Sequence, residues 1–189
     1  IDYLMLTHLH SDHTTGVVRL LNLMNVNTVI LPDNAEDTNG DNVLDDIIAA
    51  CEENGTNIVY ITRDTEFTAG AIRLSVYESS ERGSRDESGI MSTVSVGDYD
   101  MLVTGDVEKI VERELVSSHD LSGTELLIVP HHGSKYSTRD ELLSALRPET
   151  AVISTGYNRY GHPTKETLDK LNEYGVNVLR TDELGRIVL

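Results

Sequence analysis

Short apolar runs and helical periodicities alternate along this chain. Tyr3 to Thr7 reads as a buried strand, and Gly16 to Met24 places Val17, Val18, Leu20, Leu21 and Met24 near helical spacing. Thr28 to Leu31 is a short strand stopped by Pro32, and Asn42 to Glu53 is a helix closed by Asn54-Gly55. Strands follow at Ile58 to Ile61 and Ile72 to Tyr77, and the charged, glycine-containing stretch 78–89 reads as a loop. Ile90 to Val96 and Met101 to Thr104 make a hairpin turning at Gly97-Asp98. The pattern then predicts a helix over Val107 to Val116, a strand over Leu126 to Val129 and a helix from Arg139 to Leu146, ahead of Pro148. A strand at Ala151 to Ser154, a helix over Lys165 to Tyr174, and strands at Val176 to Leu179 and Ile187 to Leu189 complete it. Alternation of this kind predicts an α/β fold. With no repeat, low-complexity tract or linker, residues 1–189 are expected to form a single domain.

Composition narrows the chemistry. Acidic residues outnumber basic ones 32 to 15, a formal charge of −17, which argues against a broad nucleic-acid-binding face because such affinity rests on Lys and Arg. A small basic patch or bound cations would reverse the field locally. The single cysteine, Cys51, cannot form an intrachain disulfide and sits in the apolar run Ile47-Ile48-Ala49-Ala50-Cys51, where a core role is expected. No apolar run reaches membrane-spanning length, and no signal peptide is visible. The chain opens inside a strand without an initiator methionine, and is read as a piece of a longer or processed protein.

The densest chemistry lies in Thr7-His8-Leu9-His10-Ser11-Asp12-His13, directly after the first strand. Imidazoles and a carboxylate at this spacing suit a borderline-soft divalent cation, because a strand running into a tight loop fans them around one cavity. Three later clusters also follow strands: Thr104-Gly105-Asp106, Pro130-His131-His132-Gly133-Ser134 and Tyr160-Gly161-His162-Pro163. Sites in open α/β sheets form at the carboxyl ends of strands, so the four clusters are expected to converge. Asp37-Thr38-Asn39-Gly40-Asp41-Asn42 resembles the start of a calcium loop, but Asn42 stands where glycine is needed and Ile48 where glutamate is needed. An acidic loop with Asn42 capping the next helix is the better reading.

With His8, His10, Asp12 and His13 matching His-x-His-x-Asp-His in full, the chain resembles the metallo-β-lactamase superfamily. Thr-Gly-Asp, Val-Pro-His-His-Gly-Ser and Tyr-Gly-His-Pro narrow the likeness to the metallo-β-lactamase domain of ComEC-type DNA-uptake proteins and their stand-alone relatives. It runs from Ile1 to Leu189 and takes in Thr181-Asp182 and Gly185. The resemblance implies an αββα sandwich lacking its first strands, and a two-cation site. His8 and His10 would hold the first metal, Asp12, His13 and His131 the second, and Asp106 would bridge. Asp12, Asp106 and His162 are the candidate catalytic residues, with His162 orienting substrate or protonating a leaving group. His132 and Ser134 are candidate phosphate contacts; the choice between His131 and His132 as ligand stays open, and Ser134 is equally a candidate helix cap. Histidine and aspartate suit Zn, Mn and Fe alike. The cofactors expected are two divalent cations, Zn or Mn.

Two departures from the family pattern bear on function. No histidine lies between His13 and Asp106, where many members supply a third ligand to the first metal, so that site is expected to be weak or empty. The strands that normally precede the histidine motif are also missing from this sequence. The leading expectation is a hydrolase of phosphodiesters, a phosphodiesterase or nuclease acting on DNA during uptake. Such a domain would sit on the extracellular face of a bacterial membrane within a larger protein, or else be cytoplasmic or secreted. A hydrolase of small phosphodiesters such as phosphorylcholine esters, a lactamase or thioesterase acting on a carbonyl, and a non-catalytic DNA- or partner-binding domain remain as alternatives.

Overall fold

A computed structural model describes residues 1–33, 42–78 and 89–189. Its strands are β1 (Tyr3–Met5), β2 (Thr28–Pro32), β3 (Asn57–Ile61), β4 (Thr65–Ala69), β5 (Ile72–Tyr77), β6 (Met91–Val96), β7 (Tyr99–Val103), β8 (Thr124–Ile128), β9 (Thr150–Ile153) and β10 (Asn177–Arg180). Its helices are α1 (Ser11–Thr14), α2 (Val17–Leu23), α3 (Val43–Asn54), α4 (Lys109–Ser118), α5 (Asp140–Leu146), α6 (Lys165–Glu173) and α7 (Thr181–Leu184), with a 3-10 turn at Pro130–Gly133.

The strands form a parallel three-stranded sheet, β1-β2-β3, and a mixed seven-stranded sheet ordered β10-β9-β8-β7-β6-β5-β4. Side-chain alternation along the strands explains why the sheets stack. In β2, Val29 and Leu31 face one way into a cluster with Leu21 of α2 and Ile47 and Cys51 of α3. Ile30 faces the other way, onto Ile61, Val76 and Ile90, and so joins the two sheets. The far face of the large sheet packs Leu102, Leu127 and Ile153 against Val111 and Leu115 of α4, Leu142, Leu143 and Leu146 of α5 and Leu171 of α6. The layers therefore run helices, small sheet, large sheet, helices, the αββα order expected. Cys51 is buried in α3 as expected.

Three sequence expectations are corrected. Thr65–Ala69 forms β4, paired antiparallel to β5, although only Phe67 at its centre is large and apolar. Ile187 to Leu189 forms no strand; Val188 and Leu189 stay exposed and find no ladder partner beyond β10. The helix expected from Val107 starts at Lys109, because Val107 is buried and its carbonyl accepts the Ser137 hydroxyl at 3.0 Å. Asn42 does occupy the cap position of α3, but in the left-handed region and with no side-chain cap bond. Residues 37–41 of the calcium-like loop, and 79–88 of the charged loop, lie outside the described residues.

Candidate metal centre

The histidine motif leaves β1 at the junction of the two sheets. Leu6 N–H still bonds Ile30 beyond the strand end, and Thr7 carbonyl accepts, at 3.0 Å, the N–H of Ile90, the residue leading into β6 of the large sheet. Thr7 thus pins the motif across both layers. It packs on Gly105, whose φ is +60° and where a Cβ would meet Thr7 Oγ1 at 2.6 Å. Only glycine fits that left-handed, crowded position, which accounts for the residue preceding Asp106. His8 and Leu9 are buried, His10 is half-buried, and Ser11–Thr14 then turns as one short helix that carries Asp12 and His13.

Asp106 follows β7 at the floor of the site and is 7% exposed. Around it stand His8 Nε2 at 3.7 Å, His13 Nε2 at 3.4 Å, His132 Nε2 at 3.6 Å and His131 Nε2 at 4.0 Å. Two groups of ligand atoms, each within 4.8 Å of one another, share this carboxylate: His8, His10 and Asp106, and Asp12, His13, Asp106 and His132. The structure brings the His8–His13 motif, Asp106 and the 131–132 pair together in space.

It differs from the sequence expectation at the histidine pair. His132 enters the ligand group and His131 belongs to neither group among the described residues. The reason lies in the backbone. Both residues adopt left-handed φ, 50° and 54°, which is costly for non-glycine residues and turns the pair sharply. His131 N–H is anchored on Gly105 carbonyl at 3.0 Å, and its ring is turned so that Nδ1 lies 3.7 Å from Glu108 Oε1. His132 Nδ1 lies 2.7 Å from Ser154 carbonyl. A carbonyl only accepts, so Nδ1 carries a proton and Nε2 is the atom turned into the group, 3.2 Å from Asp12 Oδ2.

Ser134 also departs from expectation. It is 1% exposed, and its hydroxyl accepts Tyr136 N–H at 3.2 Å, so it cannot meet a substrate phosphate. Nor does it cap α5, whose cap position is Arg139. The loop owes its shape to Gly133, with φ +83°, where a Cβ would lie 2.6 Å from Pro163 Cβ. That contact docks the His131-His132 turn on the segment carrying His162.

Electrostatics follow from this crowding. Burial, then His13, lowers His8 to about 4 despite the neighbouring Asp106 carboxylate. Burial works against charge on His13 too, but Asp106 and Asp12 overcome it and the net shift is upward. Burial would raise Asp106, yet His13, His8 and His132 together hold it down at about 2. Burial, with His131 and His132 nearby, lowers His162. Buried Nε2 atoms of His8, His13 and His132 make no hydrogen bond. Three unsatisfied imidazole nitrogens and a shared carboxylate fit divalent cations, which would satisfy them all.

The site opens into a cleft of about 980 Å³ lined by His10, Asp12, Asp106, Glu108, His131 and His132 together with residues 154–160 and His162. Glu108 and residues 155–159 were not singled out from sequence. Glu108 lies two residues beyond Asp106, and Asn158 precedes His162 in the same polar run, but neither has the spacing of a ligand motif. His119 pairs with Asp64 at 2.8 Å, away from the cleft.

No protein-family model matches the chain. It is 32% identical over 190 residues to ComE operon protein 3 of Bacillus subtilis (strain 168), covering 99% of this chain and 24% of that protein. It is 37% identical over 112 residues to competence protein ComA of Neisseria gonorrhoeae, covering 57% of this chain and 16% of that protein. The chain therefore spans a quarter or less of the length of these relatives. The metallo-β-lactamase fold protein YhfI from Bacillus subtilis superposes with a TM-score of 0.58 at 12% identity, covering 96% of this chain and 75% of that one. The chain has the metallo-β-lactamase fold, and over nearly its whole length it is similar in sequence to a segment of ComE operon protein 3.

Proposed function

We propose that residues 1–189 form a single-domain, metal-dependent hydrolase that cleaves phosphodiesters in DNA, in the setting of competence-related uptake. One observation carries this reading: two groups of candidate ligands share Asp106 at the floor of an open cleft. A shared carboxylate between two cation sites suits phosphoryl transfer, where both the attacking and the leaving oxygen need stabilisation. His8, His10 and Asp106 would hold one cation, and Asp12, His13, Asp106 and His132 the other. Bound there, the pair would polarise the phosphoryl oxygen and supply a water of lowered pKa.

The chain's own residues do the rest. Among the described cleft residues, Asp12, Asp106 and Glu108 are acidic and Arg159 is the one Lys or Arg, so the bare cleft repels a phosphate. Cations are needed to attract the substrate as well as to activate it. Burial, with His131 and His132 nearby, disfavours charge on His162, and its ring orients substrate by hydrogen bonding. His131, beside Glu108 on the cleft wall, takes the phosphate-contact role first expected of His132. Three donors leave the inner site short of a tetrahedral set, consistent with weaker binding there.

ComE operon protein 3 and competence protein ComA support the uptake setting through their names. No helix among the described residues is long and apolar enough to cross a membrane. The reading places this domain at the outer face of a bacterial membrane as part of a longer protein. The test is hydrolysis of bis-p-nitrophenyl phosphate, DNA and nitrocefin side by side with Mn²⁺ or Zn²⁺, then with chelator. Chelator-sensitive cleavage of the first two supports the reading; cleavage of nitrocefin alone overturns it.

A further inference from the structure

Ser154 to Tyr160 line the cleft beside the ligand groups, and the segment displays aromatic rings to solvent. Tyr157 is 102% exposed and Tyr160 84% exposed. Full exposure of two tyrosines on one short segment leaves a large apolar area in water for no structural gain. The segment is nonetheless firmly built. Asn158 donates to Gly156 carbonyl at 2.9 Å, to His162 carbonyl at 2.7 Å and to Thr155 Oγ1 at 3.3 Å. Its side-chain oxygen accepts Tyr160 N–H at 3.1 Å and His162 N–H at 3.0 Å. This one side chain knots the loop and holds Tyr157, Arg159 and Tyr160 outward.

The rings continue inward. Tyr160 and His162 have centroids 5.9 Å apart at 32°, and His162 meets His131 at 5.5 Å, edge on. An aromatic path thus leads from solvent to the wall of the candidate metal centre. Arg159, exposed between the tyrosines, makes no hydrogen bond or ion pair among the described residues.

We infer that Tyr157 and Tyr160 form a stacking platform for the bases of single-stranded nucleic acid, with Arg159 on its backbone, which delivers a phosphodiester to the ligand groups. The inference rests on the proposed phosphodiesterase reading and names its substrate. Unpaired bases offer flat faces to exposed rings, whereas a duplex hides those faces within its stack. A chain of charge −17 with one Lys or Arg among the described cleft residues cannot rely on counterion release, so stacking has to supply the affinity.

Fluorescence anisotropy tests this with three labelled 12-mers: single-stranded oligo-dT, an abasic strand of the same length, and a duplex. The whole chain is used, with Ca²⁺ in place of Mn²⁺. The wild type should bind oligo-dT about 10-fold more tightly than the abasic strand. That ratio should fall towards one in Tyr157→Ala/Tyr160→Ala and be restored in Tyr157→Phe/Tyr160→Phe. Equal binding of base-bearing and abasic strands, a preference for the duplex, no binding at all, or a ratio retained in the alanine pair would each overturn the inference. Cleavage with Mn²⁺ is scored separately. Discriminating binding without cleavage sinks the phosphodiesterase reading while leaving the platform standing.

Discussion

Two buried carboxylates in this molecule meet opposite fates. Asp106, at the cleft floor, is held down at about 2 by the imidazoles of His13, His8 and His132 against its own desolvation. Glu112 in α4 is 1% exposed, and burial pushes it up to about 7. Its oxygens accept Thr138 N–H at 2.6 Å and Arg139 N–H at 2.9 Å, with Lys170 and Arg139 also favouring its charge. Asp106 stands among rings whose free nitrogens serve nothing in the fold. Glu112 closes off backbone donors ahead of α5. On the proposed reading the first carboxylate is a charge kept for a ligand, while the second is a piece of scaffold. Burial alone does not mark a functional acid; the neighbours decide.

Substitution should separate the two roles. Asp106→Ala removes the one group common to both ligand sets. Phosphodiesterase activity is expected to fall by about 10³-fold or more, several kcal/mol of transition-state stabilisation, and bound metal measured by mass spectrometry should drop at both sites. Its melting temperature should hardly suffer. Activity surviving in that variant would contradict the bridging role. Glu112→Ala should do the reverse. It leaves two buried N–H groups unpaired, at a cost of about 2 to 4 kcal/mol in chemical denaturation, while the folded fraction keeps its metal content. Metal loss at full stability would erase the contrast.

Asp106 was legible in the sequence, because Thr104-Gly105-Asp106 follows an apolar strand and echoes the histidine motif in chemistry. The α/β alternation was legible from apolar runs that give way to helical spacings, whereas the αββα layering was implied only by the likeness that the histidine motif carries. Glu112 was not legible, since one glutamate in an amphipathic helix looks like any solvated charge until α5 is packed over it. The burial of Ser134 and the hub made by Asn158 were hidden for the same reason. Each depends on contacts between segments about 30 residues apart or on a loop folding over itself. β4 was missed because its single large apolar residue, Phe67, leaves no periodic signal.

Neighbouring histidines sharpen the contrast at smaller scale. His131 and His132 are adjacent in sequence, yet only His132 has its Nδ1–H fixed by a carbonyl and its Nε2 within the ligand group. His132→Ala should weaken the tighter metal site about 10- to 100-fold, read by calorimetric titration, and His131→Ala by less. If the two variants lose metal equally, the left-handed turn at 131–132 does not discriminate between them.

The smallest expected effect concerns pH and belongs to Glu112 alone. Burial makes the folded chain hold this proton well above the ordinary value of 4.5, up to about 7. The folded state therefore binds more protons than the unfolded state across that window, and stability falls as pH rises through it. The contribution is complete below about 4.5, erodes as pH climbs, and stops eroding once the folded form itself ionises above about 7. Between pH 6 and 8 the loss should be about 1 kcal/mol. Other carboxylates titrate too, so the measurement is a difference: urea unfolding of wild type and Glu112→Gln at both pH values. Glutamine removes the ionisable group but leaves one backbone N–H facing an amide NH₂, so the variant is weaker throughout and lacks that part of the slope. Parallel pH dependences in the two proteins would mean that the paired N–H groups and Lys170 keep Glu112 ionised, and that both buried carboxylates carry their charge after all.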